Sequence, residues 1–343
     1  MTVSGFIREQ PERIAATLRH AAAALEGWRP DTAGGIWLVG SGSSLNALNV
    51  VLPGLLAARG EAGVRAMGPD SFGRALPRVA GPRPLAVVLS QSGRSTTSVA
   101  ALRAALAAGC PALAITAEAD SPFAAVPAPR LVVPLGPEPI GPKTKGFTAT
   151  LAALLEVGAR LGAAPLPGFD AAGFGALVEG TRAPAEALAA ELDAVDFLLV
   201  SGGGRFGGIA LEASLKVAEI AGLPTATFEP EEVLHGRLHG MTERSLGVLI
   251  VSEAAEVAQA VRTAGAMAQR GVRLRLLNLS PSPTAFDWCP QPGWPAAPFD
   301  ALAAILPFQW LAVALARRRG MLPEAMRYPG LSAALSIKLA TTA

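Results

Sequence analysis

The feature that most constrains this chain is an alternation, met twice, of short apolar runs with helix-length segments. Runs at 35–39, 85–89 and 112–115 are separated by stretches of helical patterning, and runs at 196–200, 246–251 and 272–277 repeat the arrangement in the second half. Apolar runs this short fit strands covered on both faces, and the helices between them supply the crossovers that parallel strands require. The expectation is an α/β protein of two tandem domains, each a doubly wound parallel sheet flanked by helices. A Pro- and Gly-rich stretch at 163–169 is the linker, giving a first domain over 1–165 that includes an amphipathic helix near 5–28, and a second over 166–343 with a C-terminal tail. Further helices are expected near 96–108, 144–162, 171–192, 207–221 and 254–269.

Composition narrows the function. With 343 residues, 51% of them hydrophobic and 16% charged, the chain can bury two cores. Its net charge of +2 is spread along the sequence, which argues against nucleic-acid and anionic-membrane partners. The apolar stretch 301–316 is broken by Pro307 and Gln309, so no segment reads as a membrane span, and the first residues lack an export signal. Two cysteines, Cys110 and Cys289, without metal-ligand spacing fit a reduced cytoplasm and no cysteine-based metal site. Only four of the 29 basic residues are lysines (Lys143, Lys145, Lys216 and Lys338), so each is a candidate for chemistry of its own.

Four segments could carry chemistry. Gly40-Ser41-Gly42-Ser43-Ser44 joins a strand to a helix, where free N–H groups and small hydroxyls suit an anion, although a serine cap on a tight turn would look the same. Ser90-Gln91-Ser92-Gly93-Arg94-Ser95 ends another strand, again at the edge where open α/β sheets bind ligands. Glu212, Lys216 and Glu219 form one stripe on a helix that carries no other charge between 209 and 227; a stripe of this spacing is either a solvated ion-paired face or a buried charged site. His235 and His239 stand four apart without a third ligand nearby, so His235 is a candidate acid–base group rather than a metal ligand. Gly202-Gly203-Gly204-Arg205-Phe206-Gly207 satisfies the dinucleotide-binding spacing, with Glu229 downstream, and keeps an oxidoreductase open as an alternative.

In order along the chain, Glu9-Gln10-Pro11, 42–46, 90–95, Thr144-Lys145-Gly146-Phe147-Thr148, 211–219, Glu232 to Gly236 and Leu306-Pro307-Phe308-Gln309 resemble the sugar-isomerase (SIS) domain family. The resemblance is to its tandem form, seen in the isomerase half of glucosamine-6-phosphate synthase and in amino-sugar-phosphate deaminases and deglycases. It implies two flavodoxin-like domains and an enzyme that moves a proton between C1 and C2 of an opened sugar 6-phosphate, with no cofactor and no metal. It implies further that Ser43, Ser44, Ser90, Gln91, Ser92 and Ser95 hold the phosphate and that Glu219 is the base. Glu212 and Lys216 would line the pocket, and His235 would assist ring opening in the partner subunit of a homodimer with shared active sites. Two departures bear on the reaction. No glutamine-hydrolysing domain with a catalytic cysteine is present in the sequence, and Ala333 stands where the family's closing segment carries a lysine, with Lys338 five residues on. Glutamine-dependent amination is therefore disfavoured against isomerisation, deamination or deglycation, and a catalytically silent sugar-phosphate sensor is the alternative.

Overall fold

The computed structural model describes residues 1–60, 63–192 and 195–339. Helix α1 (Val3–Ala24) leads into the first sheet, in which β1 (Ile36–Val39), α2 (Ser43–Arg59), β2 (Val64–Met67), α3 (Pro69–Ala75), β3 (Leu85–Leu89), α4 (Thr96–Ala107), β4 (Ala112–Thr116) and β5 (Arg130–Val132) alternate. The second part runs α5 (Lys145–Arg160), α6 (Ala171–Gly180), α7 (Arg182–Ala190), β6 (Phe197–Gly202), α8 (Arg205–Ala221), β7 (Thr225–Phe228), α9 (Pro230–Leu234), β8 (Ser245–Val251), α10 (Ala254–Ala268) and β9 (Arg273–Asn278). It closes with α11 (Phe299–Ala304), α12 (Leu306–Arg318) and α13 (Leu331–Ala334).

Two compact units result. One comprises 12–138, 145–168 and 328–343, and the other 1–11, 139–144 and 169–327. The bounds interleave: the first eleven residues group with the second sheet and the last sixteen with the first. A cut in chain order at 165/166 does not describe that grouping.

In the first of these units the strands are all parallel in the order β2-β1-β3-β4-β5. Every residue of β1, β3 and β4 is buried, as their unbroken apolar runs require of strands covered on both faces. Trp37 meets Phe72 edge to face at 5.8 Å, in a core with Val88, Leu102 and Phe123. The other unit has a parallel sheet in the order β7-β6-β8-β9, with Leu199, Leu249, Val251, Val257 and Leu274 in its core. Both orders are the doubly wound 2-1-3-4 pattern, in which the chain reverses direction between its first and third strands.

The structure departs from the sequence reading at the helix expected over 171–192. The single helix expected over 171–192 is two, because Pro184 has no N–H to give the Gly180 carbonyl, and Thr181 turns its hydroxyl back to the Leu177 carbonyl at 2.9 Å. The apolar stretch near the C-terminus, interrupted by Pro307 in the sequence, is α11 followed by α12, with Pro307 in the first turn of α12. Among the described residues, Phe299–Arg318 is the one helical stretch long and apolar enough to cross a membrane, and 94% of that window is buried inside the protein. Gln10 and Gln309, from opposite ends of the chain, meet there in a buried hydrogen bond of 2.8 Å.

Candidate active site

Strands β1 and β3 lie side by side in register, Val39 opposite Val88, so the loops that leave their carboxyl ends emerge next to each other. This is the topological switch point of the sheet, where the chain departs to either side and opens a crevice. The β1 loop enters α2 through Gly42 at φ 55° and ψ −132°, a conformation open to glycine, and Gly42 brings no side chain to cap the helix. Ser43 and Ser44 therefore sit in the first turn of α2, past the cap position, and the serine-cap reading of this loop does not hold. The identical device starts α8, where Gly204 stands at φ 54° and ψ −128°. The two units thus share a strand–glycine–helix junction as well as a sheet order.

The β3 loop is held from beneath. The Gln91 carbonyl accepts from Thr116 Oγ1 at 3.1 Å and from the Ala117 N–H at 2.7 Å. Gly93, at φ 58°, donates its N–H to the Ser90 carbonyl at 2.8 Å; a Cβ there would lie 2.0 Å from Ser121 Oγ. Ser92 Oγ accepts from the Arg94 N–H at 3.3 Å, and Ser95 caps α4 by accepting from the Ser98 N–H at 3.3 Å. Gln91 reaches the start of α5, where its Nε2 would lie 2.2 Å from a Cβ on Gly146, and where the buried Glu138 accepts from the Gly146 N–H at 3.0 Å. All six residues expected to hold a phosphate thus follow the carboxyl ends of the adjacent strands β1 and β3, Ser43 and Ser44 in the first turn of α2 and the other four in the β3 loop. Thr116, Ser121 and Glu138, which support the second loop, escaped the sequence reading. An acid seven positions before a buried lysine-led helix was the available signal for Glu138.

A cavity of about 750 Å³ lined in part by Gly34, Gly35, Arg59, Arg65 and Arg78 opens at the amino ends of these strands, away from the serine loops. None of the residues of the two serine segments lines this cavity.

The charged stripe lies in the other unit, on α8. Glu212 is 0% and Lys216 1% exposed, so the solvated-face reading fails for both, whereas the Glu219 side chain keeps 21% of its surface open. Lys216 Nζ stands 3.4 Å from Glu212 and also hydrogen-bonds Glu219. Burial pulls the Lys216 pKa down most strongly, but attraction to Glu212 and then Glu219, with hydrogen bonds to both, outweighs it and holds the ammonium above the ordinary lysine range. The stripe is a carboxylate–ammonium–carboxylate set whose open end is Glu219. His235, in the same unit, is 69% exposed at the end of α9, and its Nε2 bonds Glu231 at 2.8 Å rather than a member of the stripe.

The glycine-rich dinucleotide spacing is accounted for by local structure. Arg205 Nε and Nη2 bind the Asp300 carboxylate, with Nε at 3.0 Å from Oδ1, and the sheet order differs from the 3-2-1-4-5-6 order of dinucleotide-binding folds. Among the described residues no group of three or more His, Cys, Asp or Glu side chains gathers as a metal site would require.

Residues 77–157 match the SIS domain family. The glutamine–fructose-6-phosphate aminotransferase (isomerizing) of Acidithiobacillus ferridurans is 32% identical over 184 residues, 50% of this chain and 30% of that protein, so the match spans under a third of the relative's length. Among solved structures, a Clostridium difficile 630 protein proposed to be a phosphosugar isomerase superposes with a TM-score of 0.84 at 20% identity, covering 98% of each chain. The glucosamine-6-phosphate deaminase of Thermotoga maritima superposes with a TM-score of 0.70 at 18% identity, over 93% of this chain and 98% of its own. At such identities the structures speak for the fold. Residues 77–157 thus carry an SIS domain, within a chain whose two helix-flanked parallel sheets form a tandem α/β fold like that of these solved structures.

Proposed function

We propose that the chain is a phosphosugar isomerase or amino-sugar-6-phosphate deaminase-type enzyme that moves a proton between C1 and C2 of an opened sugar 6-phosphate. The observation that carries this reading is the α8 stripe: two carboxylates and an ammonium on one helix, two of the three fully buried. A chain bears the desolvation cost of such a set where a reaction uses it. Glu219, the member open to solvent, takes the C2 proton; Lys216 and Glu212 position it and fix its charge. The proton returns at C1, and where C2 carries nitrogen the resulting imine is open to hydrolysis by water. Ser43, Ser44, Ser90, Gln91, Ser92 and Ser95 hold the phosphate through hydroxyls, an amide and helix N-termini. His235 assists ring opening from a neighbouring subunit of a homodimer, in the cytoplasm.

The phosphate half of the proposal is tested by calorimetry with glucosamine 6-phosphate, fructose 6-phosphate and glucosamine. The chain should prefer the phosphorylated sugars, and Ser90→Ala with Ser92→Ala should weaken their binding by about 2–4 kcal/mol. Equal affinity for the free sugar would remove the phosphate reading.

Ala333 favours a second reading, a sugar-phosphate sensor without catalysis, since the family's lysine is replaced in the short helix α13. A sensor would bind the same ligands and exchange no C2 proton.

A further inference from the structure

The C-terminal tail and the serine loop belong to the same unit, and they are stitched together. The Thr96 N–H donates to the Ile337 carbonyl at 3.2 Å and the Leu339 N–H to the Arg94 carbonyl at 2.8 Å, which makes an antiparallel bridge between Ser95 and Lys338. Two side chains reinforce it: Thr96 Oγ1 donates to the Ser336 carbonyl at 3.0 Å, and Arg94 Nε to the Leu339 carbonyl at 3.1 Å. In this bonding pattern Ser95 and Lys338 are a non-hydrogen-bonded pair, whose side chains leave the ribbon on the same face with Cβ atoms about 4.5–5.5 Å apart. Ser95 is the cap of α4, so Lys338 issues its side chain beside the N-terminus of that helix.

The loop's own supply of positive charge is thin. Arg94 is the one basic residue between 90 and 98, and its Nε is engaged with the tail. The serines, the Gln91 amide and the backbone are neutral donors, while a sugar phosphate at neutral pH carries close to two negative charges. Lys338 is exposed, and its flexible stem lets the ammonium move onto a ligand.

We propose that Lys338 is part of the phosphate site: the tail, pinned across the loop 90–95, delivers the ammonium that pairs with the anion. The proposal rests on the reading of this loop as the phosphate cradle. It gives the tail a role distinct from that of the lysine missing at 333, because the bridge directs Lys338 toward the phosphate end of a ligand rather than toward its carbonyl.

The test is calorimetry on the full chain with glucosamine 6-phosphate and glucosamine, at low and moderate salt, for the wild type, Lys338→Met and Lys338→Arg. Lys338→Met should weaken binding of the phosphorylated sugar by about tenfold or more and flatten its salt dependence. Lys338→Arg should restore most of both, and the melting temperature of the unliganded chain should stay put, since the bridge is made by backbone. Wild-type affinity in Lys338→Met, or a lower melting temperature with affinity intact, overturns the proposal. If Ser90→Ala with Ser92→Ala impairs binding while Lys338→Met does not, only the role of Lys338 falls. If the wild type binds glucosamine as tightly as its 6-phosphate, the cradle and Lys338 fall together.

Discussion

Lys216 is enclosed with Glu212 in the interior of α8's packing, and the pair is stable only while it is complete. Replacing Lys216 by Met leaves Glu212 buried without its ammonium. The expected cost is about 3–5 kcal/mol by urea unfolding, with much of it recovered when Glu212→Gln accompanies Lys216→Met. A loss under about 1 kcal/mol would mean that the interior admits water and that the stripe is not desolvated. The stripe was legible in the sequence because its three members are the sole charges between 209 and 227, in an otherwise apolar helical stretch. The pairing of Ser95 with Lys338 was not, because nothing local to residues 336–339 announces a strand partner more than 240 positions away. His235 illustrates a further limit: its residue type suggests acid–base work, but its exposed place beside Glu231 comes from the turn after α9, which no spacing encodes.

Elements show the same division. The strands read correctly from sequence are β1, β3, β4, β6 and β8, buried almost throughout and mostly apolar, together with β9, whose buried Leu274, Leu276 and Leu277 show despite the half-covered Arg273 and Arg275. The strands missed are β2, β5 and β7, three or four residues long and only partly covered, where Arg65, Arg130 and Thr227 interrupt any apolar run. Loops behave likewise. Their glycines and serines were visible, but the floor beneath the second loop comes from Thr116 at the end of β4 and Ser121 beyond it, which only the strand order reveals. That floor makes Gly93 sensitive. Gly93→Ala must hold a side chain at positive φ and displace Ser121, so it should cost about 1–3 kcal/mol in thermal unfolding and weaken sugar-phosphate binding as the loop shifts. An unchanged melting temperature and affinity would show that the loop relaxes freely and is not a formed cradle.

At the scale of the whole molecule, one plan is used twice with different cargo. Both sheets follow the same order and both open their first helix through a glycine at nearly the same φ and ψ, yet the serines follow one junction and the charged stripe follows the other. The proposed function assigns anion binding to the first junction and acid–base chemistry to the helix that follows the second. The most direct measurement is release of deuterium from C2 of [2-²H]glucosamine 6-phosphate into water, followed by NMR with the wild type and with Glu219→Gln. Glu219→Gln keeps shape and hydrogen bonding while removing the base, so the account predicts rapid exchange in the wild type, at least about a hundredfold slower exchange in the variant, and little change in affinity. Wild-type binding of the sugar phosphate without exchange, or exchange undiminished by Glu219→Gln, would contradict it.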